Sequence, residues 1–446
     1  MVKRRLCQSL ILILVSLFAA SCGGSSSTSF VVNPTPTIIP PPPDPGPPPP
    51  GPDADSFRTP EYNLSYALEA VNAAEAYALG FTGEGQIIGM VDFNFVFNSP
   101  EVDYHGASVG LNQGFLDIYE AQIGEAATTN THGHAVAATA AGVKNDSEIH
   151  GVAFDAQILA VDFFSGVNVT EVQQGGVLFH VSNPWTYLMD RGVRVVSKSF
   201  GFDEGDIITN PPVVSEKYTL DTEAHVVDRG GLLVVSAGNN SDPDPSLSNL
   251  NLIEVLSDNN LLFGVPGAFI IAGAVDENNQ IASFSDRAGV AQQYYMVAPG
   301  VNVVFPWNGQ MVTGSGTSFS APIIAGAAVI LFQRWPTLTA REVRQILFDT
   351  ATDLGAPGVD AIYGHGLLNL SLALQPLGTA IIAVATTDSA PPVPLTGMIL
   401  GPVFGDALDF RSGLQNIMML DDFQRDFRID LSGLVTSSQT RAPLVD

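Results

Sequence analysis

The sequence predicts an α/β fold with a mostly parallel central sheet and helices on both faces. Two observations lead there. Apolar runs of strand length recur at about 86–92, 157–163, 193–198, 231–236 and 269–275, and they are nearly continuous, as strands buried on both faces are. The intervals between them are helix-length, as parallel crossovers require. In such sheets the chemistry collects at the carboxyl ends of strands or on the helices after them.

The chain opens with Met1-Val2-Lys3-Arg4-Arg5, an apolar run from Leu10 to Ala20, and Ser21-Cys22-Gly23-Gly24. That is the pattern of a bacterial secretory signal, and the run is short for a membrane span. Ala19-Ala20-Ser21 before Cys22 is similar to a lipoprotein cleavage box, which would make Cys22 the lipid-bearing amino terminus once the signal in residues 1–22 is processed. Gly23 stands where an aspartate commonly retains lipoproteins at the inner membrane, so the outer membrane or cell surface is expected. Residues 23–53 are small and polar from Gly23 to Ser29, then proline-dominated from Pro34 to Asp53, a flexible and then semi-rigid tether. The other cysteine, Cys7, lies within the signal, so the mature chain has no pair for an intrachain disulfide.

A folded domain is expected over residues 54–376, about 320 residues and ample for a large core. It begins with a helix-like stretch, Ala67 to Leu79, and a turn at Thr82-Gly83-Glu84-Gly85. The strand Gln86-Ile87-Ile88-Gly89-Met90-Val91 comes next and ends in the carboxylate of Asp92. Fewer than forty residues separate the tether from Asp92, too few for a separately folding prodomain. At Asn130-Thr131-His132-Gly133-His134 a histidine pair opens a run of small residues that reads as a buried helix. Residues two apart on a helix point to nearly opposite sides, so only one of the two imidazoles can face a given partner.

Val234-Val235-Ser236-Ala237-Gly238-Asn239 reads as a strand that ends in glycine and then a side-chain amide. Gly314 and Gly316 are expected to bend the chain tightly and to deliver Ser318 to the mouth of an apolar helix running from Ile323 to Phe332. A serine hydroxyl is a poor nucleophile unless a base stands beside it, usually a histidine that a carboxylate orients. The oxyanion formed on attack needs a pre-aimed donor, which an amide side chain supplies.

Gly316-Thr317-Ser318-Phe319-Ser320-Ala321-Pro322, the His132-Gly133 segment with Val136 and Ala137, and Ala237-Gly238-Asn239 resemble the signatures of the subtilisin-like serine peptidases, the subtilases. The order Asp, His, Ser is also that family's order. The resemblance covers roughly residues 60 to 376 and implies a three-layer subtilisin-like fold. It implies an endopeptidase in which Asp92, His132 and Ser318 form the triad and Asn239 joins the oxyanion hole with the Ser318 N–H. It also implies that Ser199, Phe200 and Gly201, together with Gly238, line the substrate strand, and that Gly264-Val265-Pro266-Gly267 forms part of the primary specificity pocket. Gly151-Val152-Ala153, Ala282-Ser283-Phe284-Ser285 and Val297-Ala298-Pro299-Gly300 fall at family-like positions as local turns and strands.

In one respect the chain departs from the family. The family's aspartate is usually followed by Ser or Thr and then Gly, whereas Phe93 and Asn94 come after Asp92, so the local turn differs and a bulky ring stands at the cleft edge. Tyr363 to Leu370 resembles the closing segment of autotransporter subtilases, and segments near Phe404 and Phe427 resemble stretches downstream of it in those proteins. The remaining chain to Asp446 leaves no room for a β-barrel, so residues 377–446 are expected as a short appendage.

Eighteen basic against 45 acidic residues give a net charge of −27, which argues against nucleic acid as a partner and for a solvated acidic surface. The expected partners are protein or peptide substrates and, through the lipid, a membrane; the protein is expected to be a monomer. No cofactor is required for this chemistry. Structural calcium at the acidic loops Asp203–Asp206 or Asp242/Asp244 stays open without an assigned ligand set. His134 reads as a helix residue satisfied locally, and His105, His150, His180, His225 and His365 show no metal spacing. Ser241 to Leu262 reads as an insertion rimming the cleft, Thr339 to Thr350 as a capped outer helix, and Ile417-Met418-Met419-Leu420 as a packed strand or helix. The rival reading is a catalytically impaired subtilase-fold surface protein that holds extended peptides along Ser199–Gly201.

Overall fold

The computed structural model describes residues 53–106, 108, 131–147, 149–162, 184–201, 223–259, 261, 265–307, 310–379, 381–382, 393–394 and 417–430. The main sheet has six strands: β1 (Ile87–Asp92), β2 (Gln157–Asp162), β3 (Val195–Lys198), β4 (Leu232–Ser236), β5 (Ala268–Val275) and β6 (Tyr295–Pro299). Their order is β2-β1-β3-β4-β5-β6, and every pairing is parallel. The five expected strands are all present, with ends displaced by at most two residues. Val297-Ala298-Pro299-Gly300 shows only part of the sixth, because proline and glycine cut its apolar run short.

Four longer helices, α1 (His132–Ala141), α2 (Leu247–Asp258), α3 (Thr317–Arg334) and α4 (Ala340–Asp349), complete the frame with several shorter ones. Successive strand residues point to opposite faces. Ile88, Met90, Ile158, Leu232, Val234 and Ile270 therefore share one core with the buried residues of α1, α3 and α4. Val91, Leu159, Val161, Leu233, Val235 and Phe269 share the other with Trp185, Leu188, Val226, Val227 and the α2 residues Leu252 and Leu256. The result is the three-layer α/β arrangement expected.

α3 is long and apolar enough to cross a membrane, but 83 % of it is buried between the sheet and its neighbouring helices, which accounts for its apolarity. α4 starts with a capping box, Thr339 paired reciprocally with Glu342, and buries only one side. The expected helix from Ala67 to Leu79 is instead two short ones, Tyr66–Ala70 and Ala73–Ala78, because Asn72 adopts a left-handed conformation with φ 57° between them. The expected insertion contains α2, tied to the end of β4 by an Asn249 side chain that donates to the Ser236 carbonyl at 2.8 Å.

Beyond residue 376, Phe423 and Phe427 pack on the main core. Asp426 accepts from Arg334 at 2.9 Å and from the Trp335 indole at 3.2 Å, so this stretch of chain grips the far end of α3.

Among the described residues, β1 is the only strand of the sheet whose two neighbours, β2 and β3, come after it in the chain on opposite sides. The carboxyl end of such a strand is where open α/β sheets bind ligands, and Asp92 is its last residue.

Lys198, the last residue of β3, pairs with Glu223 at 2.6 Å, and both side chains are almost fully buried. Burial pushes the Glu223 pKa up against the attraction of Lys198. Lys198→Met should therefore cost about 3–5 kcal/mol of unfolding free energy by stranding the carboxylate, while Lys198→Met/Glu223→Leu should lie near wild type. Urea unfolding of the two variants checks this, and equal destabilisation in both would contradict it.

Candidate active site

Asp92 is buried at the end of β1, and its Oδ1 accepts two hydrogen bonds: from the Phe93 amide at 2.8 Å and from Nδ1 of His132 at 2.7 Å. His132 is the first residue of α1. The start of that helix is pinned to the end of β1 by the Gly133 N–H, which donates to the Phe93 carbonyl at 2.8 Å. A side chain at 133 would place its Cβ 2.6 Å from that oxygen, so glycine is what allows strand and helix to meet. Asn94, in a left-handed conformation with φ 61°, turns the chain away.

Burial of His132 opposes its protonation, but the charge of Asp92 and the hydrogen bond to it outweigh burial and raise the imidazole pKa above 6.5. His134 is in the opposite condition. It is buried with its Nδ1 2.9 Å from the Tyr104 hydroxyl, and burial pushes its pKa down to about 4. The two histidines divide as their spacing suggested.

Ser318 is the second residue of α3 and is half-buried. Pro322 lies four residues later and has no N–H, so the helix cannot use the Ser318 carbonyl. Ser199 uses it instead, donating from Oγ at 2.9 Å, and the Ser318 hydroxyl donates back to the Ser199 carbonyl at 3.0 Å. The expected reason for the two glycines needs correction. Gly314 makes room for the rings of Phe319 and Phe305, which a Cβ would approach to 2.7 and 2.8 Å. Gly316 has an extended φ of 163° that any residue adopts, and its open side faces the Asn239 amide, with Nδ2 3.6 Å from where a Cβ would stand.

Asn239 is oriented by Thr317, whose amide and hydroxyl both donate to Oδ1, at 2.9 and 3.1 Å. Because an amide N–H can only donate, that oxygen assignment is forced and Nδ2 is left as the donor of the group. Gly238 has φ 122°, and a Cβ there would collide with Asp286. Asp286 is buried and its Oδ1 accepts from the amides of Asn240 and Asp242, at 2.8 and 3.0 Å, so it shapes the loop that carries Asn239. Phe200 is half-buried and Gly201 exposed, and a Cβ on Gly201 would stand 3.0 Å from Ser248 Oγ at the start of α2.

Sequence reasoning did not single out Thr317 and Asp286 for roles. Thr317 lies inside the Gly316–Pro322 motif, and the signal for Asp286 is a carboxylate directly after Ala282-Ser283-Phe284-Ser285. Cys22, His180, Gly264 and Asp203–Asp206 lie outside the described residues. Among the described residues, no group of three or more His, Cys, Asp or Glu side chains is placed to hold a metal ion. Asp244 Oδ1 accepts from the Val290 amide at 2.8 Å, and the His365 ring stacks on Phe348 at 3.9 Å.

The parallel three-layer α/β sheet thus carries a carboxylate–imidazole pair at its topological switch point and a serine at the mouth of a core helix. The family model of the subtilase family matches residues 83–366, well over half of the chain, and the chain belongs to that family. It is 27% identical over 388 residues to an extracellular serine protease of Serratia marcescens, an alignment covering 72% of this chain and 34% of that protein. It is 27% identical over 316 residues to subtilisin DY of Bacillus licheniformis, covering 70% of this chain and 98% of that one. A shorter stretch of 155 residues is 38% identical to serotype-specific antigen 1 of Mannheimia haemolytica, covering 32% of this chain and 16% of that protein. The alignment thus spans about a third of the length of the Serratia relative.

Ser199→Ala should leave the Ser318 carbonyl without its donor at a place where the helix cannot supply one, at a cost of about 1–3 kcal/mol. Denaturant unfolding measures it, and an unchanged midpoint would show that the carbonyl needs no partner.

Proposed function

We propose that this protein is an exported serine endopeptidase that hydrolyses peptide bonds through an acyl-enzyme. The observation that carries the reading is the 2.7 Å bond from His132 Nδ1 to a buried Asp92, in a subtilase chain whose Ser318 opens the central helix. Ser318 attacks the carbonyl carbon of the scissile bond, His132 takes the hydroxyl proton and later returns it to the leaving amine, and Asp92 holds the imidazole in the required tautomer. The oxyanion is received by Asn239 Nδ2 and the Ser318 N–H. An extended substrate adds as a strand along Ser199, Phe200 and Gly201, with Gly238 on the facing side. As its N–H groups take the Ser199 carbonyl, the Ser318 hydroxyl is released from that acceptor to turn to the imidazole.

Export is supported by the signal pattern of residues 1–22 and by relatives whose names describe extracellular proteases. The lipid-box pattern at Ala19–Cys22 supports a lipid on Cys22 and a tether over residues 23–53 that stands the peptidase off the envelope. The rival, a binding-only protein on the same scaffold, draws on one observation: the Ser318 hydroxyl is engaged by a carbonyl.

A fluorophosphonate probe separates the two. The whole chain should label at Ser318, and Ser318→Ala and His132→Ala should not; a folded wild type that resists labelling favours the binder. Asn239→Leu should lower kcat by roughly a hundred-fold with little change in KM, the usual cost of one oxyanion donor. The base is the neutral imidazole, so kcat/KM should fall as pH drops through the His132 pKa, with a midpoint above 6.5. Asp92→Asn removes the raising influence and leaves burial, so any remaining activity should show a lower midpoint; an unshifted limb would contradict the pairing.

A further inference from the structure

Phe93 is where this chain leaves its family's pattern, and it touches every part of the histidine side of the site. Its amide donates to Asp92 Oδ1 at 2.8 Å, its carbonyl accepts from the Gly133 N–H at 2.8 Å, and its ring stacks on the His132 imidazole. The ring centroids are 5.1 Å apart and the planes within 16° of parallel. The ring itself is half-buried. The Asp92 bond holds the imidazole at Nδ1, an atom off the Cβ–Cγ axis, and so restrains its rotation about χ2 from one edge. A second ring stacked near-parallel against the imidazole stiffens the same rotation, because leaving the stack costs contact area and the offset-stacking preference.

Resting on the triad reading above, we propose that Phe93 is a positioning residue. Its ring is the face-on support that sets the plane of the His132 imidazole, so that Nε2 is aimed at Ser318 while Asp92 holds the opposite edge. Ser or Thr with Gly, the pair usual after this aspartate in the family, presents no such surface. Orientation by an aromatic face thus stands here in place of whatever a small polar turn provides. The backbone bonds of residue 93 do not depend on the side chain, so replacing the ring tests it separately from the turn.

The test uses the whole chain and four forms: wild type, Phe93→Tyr, Phe93→Leu and Phe93→Ala. Tyr keeps the aromatic face, Leu keeps bulk without a ring, and Ala removes both. Fluorophosphonate labelling rates and peptide turnover are measured beside histidine-selective proton NMR and thermal unfolding. The expected result is that Leu and Ala lower kcat and the labelling rate by about ten-fold with KM little changed, as small misalignments of a reacting group do. Tyr should remain within about two-fold of wild type. The His132 ring-carbon protons should carry an upfield ring-current shift in wild type and Tyr that Leu and Ala lose.

Should the Ala variant not fold, Leu against Tyr decides the matter. A Leu variant as fast as Tyr, a loss confined to KM, or unshifted His132 signals would each overturn the proposal while leaving the triad intact. A folded wild type that does not label sinks the triad reading and takes this proposal with it.

Discussion

The hydrogen bond from His132 to Asp92 is the constraint from which the site is built. A carboxylate buried at the end of β1 is costly unless its oxygens are met by donors. One of them accepts both the Phe93 amide and the imidazole, so the strand's own continuation and the next helix satisfy the same atom. That requires the start of α1 to approach the end of β1 closely, which Gly133 permits and the Phe93 carbonyl fastens. The sheet order places this junction at the switch point, at the carboxyl end of β1.

The serine side interlocks in a comparable way from the other strands. Pro322 frees the Ser318 carbonyl, and Ser199, just beyond β3, takes it. Thr317, the first residue of α3, turns the Asn239 amide, and Asp286 holds the loop after β4 that carries it. Two strand ends and one helix start therefore position one another through short polar contacts, while the apolar faces of the sheet hold the frame on which they act. In the proposed mechanism, that rigidity is what aims a donor, a nucleophile and a base at one carbonyl.

Much of this was legible in the chain because each element obeys a local rule. Buried parallel strands show as apolar runs, and the sites at their ends show as Asp92, Gly238 and Asn239 interrupting those runs. Helical spacing separates His132 from His134, the family resemblance picks out His132, and His134 lies buried against Tyr104. What escaped depends on partners distant in sequence. Lys198 was visible as a charge within an apolar run, but nothing local to either residue names Glu223 as its partner. α2 lies in a stretch that reads only as an insertion, because polar Ser248 and Asn249 are among its buried residues, which blurs the helical stripe. Asn72 breaks a helix through a backbone angle that composition tolerates in either state. Gly316 makes no tight bend: its φ is extended, and a Cβ there would meet Asn239 only at an ordinary contact distance of 3.6 Å.

In the proposed mechanism, Asp92 fixes which nitrogen of His132 carries the proton. Nitrogen-15 NMR of the histidine-labelled chain, at a pH where His132 is neutral, reads this directly. The expected result is the proton on Nδ1, facing Asp92, with Nε2 bare and able to act as base, and a shift toward the other tautomer in Asp92→Asn. A neutral His132 protonated on Nε2 in the wild type would contradict it.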